Sequence, residues 1–386
     1  DVYKRQGGNS VTVFEKNEKP GKKIYITGKG RCNVTNAVSP EEVLENVVHN
    51  AKFLRGTVYA FPPAELMHFL EKGGLPLKTE RGNRVFPASD KASDVTKCLE
   101  RYCKNAEVAF RYCEKVTSVE KRGDVFFVRV ADKKAEADAV VVCTGGLSYP
   151  ATGSDGDGYT FAEAFGLKIV PQRSALCGIE CSGVEGLQGV SLRNVCLHAE
   201  AGKKHWSQFG EMLFTHFGIS GPIVLTLSSK INDLELTSVK LKIDLKPALD
   251  HTTLDKRLLR DFEKYRNKHI QNALTELLPK ALILPVLHRA EISPETIVNS
   301  LPREKREKLL YAIKNFALNM RKLRPIEEGI VTAGGVDVKE IDPRTMQSKA
   351  VPGLYFCGEV LDVDALTGGF NLQIAFMTGY AAGKAI

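Results

Sequence analysis

The sequence has no apolar run approaching the roughly 20 residues that a membrane-spanning helix needs, so no membrane partner is expected. Its first residues, DVYKRQ, are polar and lack the apolar stretch of a secretory signal. Nine cysteines, an odd number without paired spacing, argue against a disulfide framework and for a reducing cytoplasm. Cys177 and Cys181 are four apart, a spacing open to a metal or redox pair but more simply two buried thiols, and no metal site is expected. The GxxxxGKS/T order of a nucleotide P-loop is missing, and so is any GxGxxG turn. What remains is a chain of 386 residues with a hydrophobic fraction of 43%. At about 150 residues per domain it is long enough for two or three packed domains.

The net charge of +8 is uneven: residues 250–325 hold 16 Lys and Arg against 9 Asp and Glu. A charged helical face is usually just solvated, yet a basic one can attract an anionic partner, nucleic acid included.

The most informative stretch is residues 353–386, GLYFCGEVLDVDALTGGFNLQIAFMTGYAAGKAI. A short apolar run, Leu354 to Cys357, is bounded by glycine on both sides and predicts a buried strand. Gly358 and Glu359 follow, then Asp362, then Gly368-Gly369-Phe370-Asn371 at the start of a second apolar segment. In that segment Ala375, Gly379, Ala382 and Gly383 recur at helical spacing, so a close neighbour is expected. The unit is strand, glycine-rich turn, helix. Unpaired N–H groups at such a helix start suit an anionic or electron-rich ligand, and an acid just past the strand suits a ribose or ribityl hydroxyl. A closing helix whose glycines serve only packing is the plainer alternative.

This arrangement resembles the C-terminal flavin motif of FAD enzymes with two dinucleotide folds. GEVLDVDALTGGFNLQIAF, with TGKGRCNVTN (residues 27–36) and GEMLFTHFGISGP (residues 210–222), is similar to the aminoacetone oxidase family of FAD flavoproteins, which includes the BaiN-type reductases. The resemblance runs from about residue 8 to the C-terminus. It implies that Glu15, at the end of a strand GNSVTVFE, holds the adenosine ribose. It also implies that Lys23, Gly28, Gly30, Arg31, Asn33, Thr35 and Asn36 run beside the flavin and pyrophosphate. Thr144, Gly145 and Gly146 would line the adenosine side, Gly358, Glu359 and Asp362 the ribityl–pyrophosphate end, and Gly369, Asn371 and Gln373 the pyrimidine edge. The glycine-rich turn that should precede Glu15 by about 20 residues is absent. The chain is therefore read as lacking the first strand and phosphate loop, with a non-native first half-dozen residues. Made alone, it is expected to be colourless and poorly soluble, and an extended version yellow.

Along the chain, residues 41–72 have broadly helical spacing broken at Pro62-Pro63, and residues 92–104 predict a helix. A turn and short strand are expected over residues 81–87 and strands at 116–119, 125–130 and 139–143, the last a continuous apolar run typical of a parallel strand buried on both faces. GSDGDG (residues 153–158) lacks the order of a second dinucleotide loop. After Pro171 short alternating strands predict a small antiparallel barrel. It contains His216, which is either a catalytic acid–base group or a structural histidine. Residues 252–278 carry a helical stripe, Ser293-Pro294-Glu295 marks a helix start, and residues 305–323 are expected to continue as helix.

The fold expected is α/β: a discontinuous Rossmann-like FAD-binding domain (residues 1–172 and 327–386) with an inserted antiparallel β-barrel (173–250) and helical subdomain (251–326). The function expected is FAD-dependent oxidoreduction, hydride passing between flavin N5 and a small organic substrate. The enzyme is either an NAD(P)H-dependent reductase or an amine oxidase. A tRNA-associated flavoprotein using the basic insert is the alternative, although that insert alternates bases with acids and lacks interleaved aromatics. A flavin-binding scaffold without catalysis is a third.

Overall fold

The computed structural model describes residues 9–386, and the expectation for residues 1–8 lies outside it. The chain divides into two compact units. One comprises the residues up to Ala175 together with Pro325–Ile386, and the other is Leu176–Arg324.

The first unit is mixed α/β. The apolar run before Thr144 forms the strand Val140–Val142, which pairs in parallel with Leu354–Phe356, Leu354 opposite Val140 and Phe356 opposite Val142. These strands lie over 200 residues apart in sequence and share one sheet. A second parallel pair joins Thr12–Glu15 to Ala109–Tyr112. A three-stranded antiparallel sheet, Val116–Arg122, Val125–Val130 and Lys133–Ala137, turns at Gly123, whose φ of 61° suits glycine. The strand Val331–Val336, buried along its whole length, runs antiparallel to Ile169–Ala175. The closing helix Phe370–Ala385 packs Ile374, Met377, Ala381 and Ala382 into the same core as Leu354 and Phe356. Its Ala375 lies 3.6 Å from where a Cβ on Gly358 would sit, whereas one on Gly379 would meet no described atom within 4 Å. The small-residue face is thus closely covered at one position and open at another.

Residues 20–36 are not the wholly polar loop that their composition suggests. They hold a short helix, Lys22–Ile26, and then bury Cys32, Val34, Thr35 and Asn36 as the chain enters a strand pairing with Arg84–Pro87. Thr35 and Asn36 are polar but hydrogen-bonded inside, which offsets the cost of burying them.

The second unit is a closed six-stranded antiparallel barrel with helices packed on it. The helices His251–Lys264, Lys280–Arg289 and Arg303–Lys314 and the barrel strands contribute to one continuous core that includes Leu197, Phe214, Leu258, Val286, Leu310 and Phe316. Two expectations are corrected here. The helix expected over residues 305–323 ends at Lys314, and Phe316–Leu323 is the strand that closes the barrel between Ile179–Ser182 and Lys240–Asp244. Its residues FALNMRKL favour helix locally, but Phe316 and Leu318 face inward with Ala317 and Asn319 exposed, a period of two that tertiary pairing imposes. No helix starts at Ser293 either. That backbone is spent on a neighbouring segment, with Ile270 N–H donating to Thr296 O (2.8 Å) and Ile297 bridging to His269. Among the described residues, no helix is long and apolar enough to cross a membrane and no cluster of His, Cys, Asp and Glu has the geometry to hold a metal. None of the nine cysteines is in a disulfide.

Candidate functional site

The strand Leu354–Phe356 is fully buried, and the turn after it is shaped by Gly358, whose φ of 75° is left-handed. Gly358 N–H donates to Thr378 Oγ1 (3.0 Å), which fixes the turn to the closing helix. Glu359 then points into a knot of polar groups. Its Oε1 accepts from Thr332 N–H (2.9 Å) and Ser148 Oγ (3.0 Å), and its Oε2 from Lys23 Nζ (2.6 Å). Lys23 also reaches Ser148 Oγ at 2.6 Å, and Thr332 Oγ1 accepts from the backbone N–H groups of Leu147 and Ser148. Gly146 is the residue that lets these strands close. A Cβ there would lie 2.4 Å from Thr332 Oγ1 and 3.0 Å from Glu359 Oε1. Lys23, Gly146, Gly358 and Glu359 are therefore gathered at one place.

Beyond Glu359 the chain runs through Asp362 and Asp364, both buried. The loop is laced to residues 46–50. Val48 N–H donates to Asp364 O (2.8 Å), Leu366 N–H to Asn46 O (2.9 Å), and Val47 forms an antiparallel bridge with Ala365. Asn50 Nδ2 donates to Asp362 at both its backbone O (2.6 Å) and Oδ2 (2.8 Å), while His49 Nδ1 bonds to Asp364 Oδ1. Asp362 Oδ1, Asp364 Oδ2, Tyr159 OH and Arg173 Nε are buried and find no hydrogen-bond partner among the described residues. Burial pushes the Asp362 carboxyl up from its usual range, against the hydrogen bond from Asn50 and the charges of His49 and Arg173. Burial also raises the Tyr159 hydroxyl, with Glu359 and Asp362 adding to the effect. For His49 burial works downward, and the hydrogen bond and charge of Asp364 more than reverse it, leaving the imidazole above its ordinary value.

The closing helix starts at a second crowded point. Gly368 and Gly369 have φ of 126° and 99°, and a Cβ on Gly369 would lie 2.4 Å from the backbone of Thr35. Asn371 clamps the preceding loop, accepting from Ala365 N–H (2.9 Å) and donating to Ala365 O (2.7 Å). Gln373, 0% exposed, accepts from Thr35 Oγ1 (2.7 Å) and donates to Phe61 O (2.9 Å). Both amide side chains are engaged within the protein, which leaves the backbone of the helix start as its outward chemistry. Asn36 Nδ2 bonds to Gly82 O and Gly368 O, and its Oδ1, like Asn33 Oδ1, is buried without a partner among the described residues. Gly28, Lys29 and Gly30 form a left-handed run (φ 57°, 58° and 86°). Arg31 turns away to Glu80 (2.8 Å) and Asp90 (3.2 Å) and lies over the Phe86 ring.

Glu15 sits at the end of its strand with Oε1 accepting from Asn17 N–H and Nδ2, both 2.8 Å, and Asn17 continues to Thr152 O. This draws the GSDGDG stretch onto the strand end, where Lys16 pairs with Asp155 and Asp157 and Lys115 with the same two acids. Thr144 Oγ1 is buried without a partner among the described residues, and Gly158 gives it room, since a Cβ there would lie 2.2 Å away. Gly145 (φ 74°) lies beside Ser154. In the second unit, His216 is exposed on the turn that follows the strand Lys204–Phe214, its ring edge-on to Phe217 at 5.1 Å.

Sequence pattern alone does not single out His49, Asn50, Ser148, Tyr159 and Arg173. None lies in a glycine-rich motif. His49 and Asn50 lie inside residues 41–72, whose spacing is broadly helical and draws no attention to them.

Comparison with known proteins agrees with this architecture. The HI0933-like protein Rossmann domain matches residues 2–385. The chain is 30% identical over 383 residues to the 3-dehydro-bile acid delta(4,6)-reductase of Clostridium scindens, covering 98% of this chain and 93% of that protein. It is 31% identical over 386 residues to the ribosomal RNA dihydrouridine synthase of Escherichia coli, covering 98% and 92%. Among solved structures, the 3-ketosteroid-delta4-(5alpha)-dehydrogenase of Rhodococcus jostii RHA1 shares the fold at 14% identity, with a TM-score of 0.52 over 100% of this chain and 93% of that one. The 3-ketosteroid delta1-dehydrogenase of Sterolibacterium denitrificans does so at 12% identity and a TM-score of 0.50, over 99% and 95%. By a match that spans nearly its whole length, the chain belongs to the HI0933-like family of Rossmann-domain flavoproteins, which are FAD-dependent oxidoreductases.

Proposed function

We propose that the protein is a reductase that saturates a carbon–carbon double bond conjugated to a carbonyl in a small organic molecule, with NAD(P)H as electron donor. The observation that carries this reading is chemical: a delta(4,6)-reductase of a 3-dehydro-bile acid and a dihydrouridine synthase, both about 30% identical to this chain, have in common the reduction of such a bond. An oxidase acting on an amine, the other branch left open by the sequence, has no such support.

The residues present fit FAD. Thr144 Oγ1, Asn33 Oδ1, Asn36 Oδ1 and Asp362 Oδ1 are buried polar atoms without partners among the described residues, the pattern a hydroxyl-rich, anionic dinucleotide satisfies. In this proposal Glu15 and Thr144 to Gly146 hold the adenosine side, and Gly28, Gly30, Asn33, Thr35 and Asn36 follow the cofactor. Asp362 would accept from a ribityl hydroxyl. The helix start at Gly369 to Asn371 would offer backbone N–H groups to the pyrimidine edge and would stabilise negative charge there. When bound, the flavin supplies hydride transfer at N5. Lys23, Glu359, Asn371, Gln373 and Arg31 hold the surrounding segments in place, as their hydrogen bonds indicate. Of the two readings of His216, this proposal takes the structural one: the residue lies on an exposed turn of the second unit, edge-on to Phe217.

Anaerobic stopped-flow mixing of the FAD-loaded protein with NADH, NADPH and aminoacetone tests the reading. Bleaching of the flavin by a nicotinamide and its return on adding cyclohexenone is the expected result; bleaching by the amine alone would overturn it.

A second reading is favoured by the name of the Escherichia coli relative: the double bond belongs to a uracil ring in RNA. The helical part of the second unit pairs much of its basic charge internally, Arg257 with Asp261, Arg303 with Glu307, Arg306 with Asp255 and Lys308 with Glu291, which weakens the case for a broad phosphate-binding face. Salt-dependent binding of bulk ribosomal RNA, with reoxidation of reduced flavin by RNA and none by cyclohexenone, would move the assignment to this reading.

A further inference from the structure

We propose that His49 is the proton donor of this reduction and that Asp364 is the carboxylate that positions it. The inference rests on the double-bond reductase reading above. Saturating a conjugated double bond breaks one π bond and forms two C–H bonds. One takes a hydride, the part that reduced flavin supplies, and the other takes a proton from an acid. That acid must lie beside the cofactor motif, and the structure offers a histidine there.

His49 belongs to the short segment that is hydrogen-bonded along the Asp362–Asp364 loop. Its Nδ1 is committed to Asp364 Oδ1. That bond fixes the ring and leaves Nε2 as the nitrogen free to meet another molecule. The pair is asymmetric: the Asp364 side chain is 1% exposed, while that of His49 keeps 21% exposure. A carboxylate so enclosed is costly to hold charged unless a cation shares the site. The groups that act on His49 are Asp364, Asp362 and Arg173. Two carboxylates favour the imidazolium, the form that can give a proton, and the guanidinium opposes it. Asp362 links the pair to the cofactor motif through Asn50, which holds its carboxylate and backbone oxygen together. After transfer, the neutral imidazole takes its next proton from water, so the residue returns to its starting state.

The test compares the FAD-loaded protein with His49→Gln, Asp364→Asn and His216→Gln. Flavin content and the rate of bleaching by NAD(P)H are expected to stay within about twofold in His49→Gln, while reoxidation by cyclohexenone slows by about 100-fold or more, the scale of a lost general acid. In wild type that step falls as pH rises through the His49 pKa, and Asp364→Asn moves the fall to lower pH. His216→Gln leaves the step unchanged. An unchanged rate in His49→Gln, or a loss seen in His216→Gln instead, overturns the proposal. The pair is also read without turnover, by NMR titration of histidine-labelled protein. Asp364→Asn lowers the His49 pKa, and an unshifted His49 overturns the positioning role. If reduced wild-type flavin is not reoxidised by cyclohexenone at all, the reductase reading has failed, while the titration still decides the pair.

Discussion

Asp362 and Asp364 lie two residues apart and are both buried, yet they are engaged differently. Asp364 is hydrogen-bonded to the His49 imidazole, whereas Asp362 is held by a neutral amide and keeps Oδ1 unpartnered among the described residues. A ligand hydroxyl therefore gains more at Asp362. Asp362→Ala is expected to weaken FAD binding at least tenfold, since a hydrogen bond to a buried charge contributes roughly 1.5–3 kcal/mol. Asp364→Ala should cost FAD affinity less. Flavin absorbance retained after gel filtration, read against total protein, measures both, and equal FAD content in the two variants would count against the assignment. Glu359 is a different case. Four groups from three distant segments, Lys23, Ser148, Thr332 and Gly146, converge on it. That makes it a residue on which the sheet end is built, whatever ligand it also meets.

At the scale of elements, the start of the closing helix is set by Gly369. Its φ of 99° is strained for any side chain, and a Cβ would strike the Thr35 backbone. Gly369→Ala is expected to destabilise the protein by about 1–3 kcal/mol or more, seen as a lower urea midpoint. A midpoint within error of wild type would mean that the helix start is not clamped there. The GSDGDG stretch is held by charge instead. Burial tends to raise the Asp155 carboxyl, but Lys16, helped by Asp157 and Lys115, brings it down to about 2. Its ordinary value is 3.8, so its contribution to stability is complete above that pH and is lost as pH falls through about 2. Acid unfolding of Asp155→Asn should accordingly lack that dependence between about pH 4 and 2. These elements also show what could be read in advance. The strand Leu354–Phe356 and the helix after it are punctuated by glycines, so their kind and place are written locally. The strand Phe316–Leu323 is not. Its Leu, Met, Arg and Lys favour helix, and only pairing with Ile179–Ser182, well over 100 residues earlier, makes it a strand. The His49–Asp364 bond spans 315 residues, and His49 lies in no motif. Local residue pattern therefore reveals the glycine-framed parts of the candidate site but not the side chains that long-range packing delivers to them.

For the whole molecule, the decisive feature is that each unit has a core of its own. The continuous cluster from Ile179 to Leu318 draws all its members from Leu176–Arg324, and the cluster from Cys32 to Ala382 draws none from it. The ends of the second unit also meet. Ile179 pairs with Leu323 across two neighbouring barrel strands, and Arg324 N–H donates to Gly178 O at 3.0 Å. A segment whose first and last residues are adjacent can be inserted into another fold, or removed from it, without opening its own barrel. Every residue proposed here to hold FAD lies outside it. Residues 176–324 made alone are therefore expected to fold, to unfold cooperatively in urea with a slope of roughly 1–3 kcal/mol/M, and to bind no flavin. The stability should depend on the strand Phe316–Leu323, because without it the barrel has two open edges. A shorter version ending at Asn315 is expected to lose the cooperative transition. If residues 176–324 show only a gradual, non-cooperative loss of circular dichroism, the barrel depends on the first unit for its fold, and the independence of the two cores is refuted.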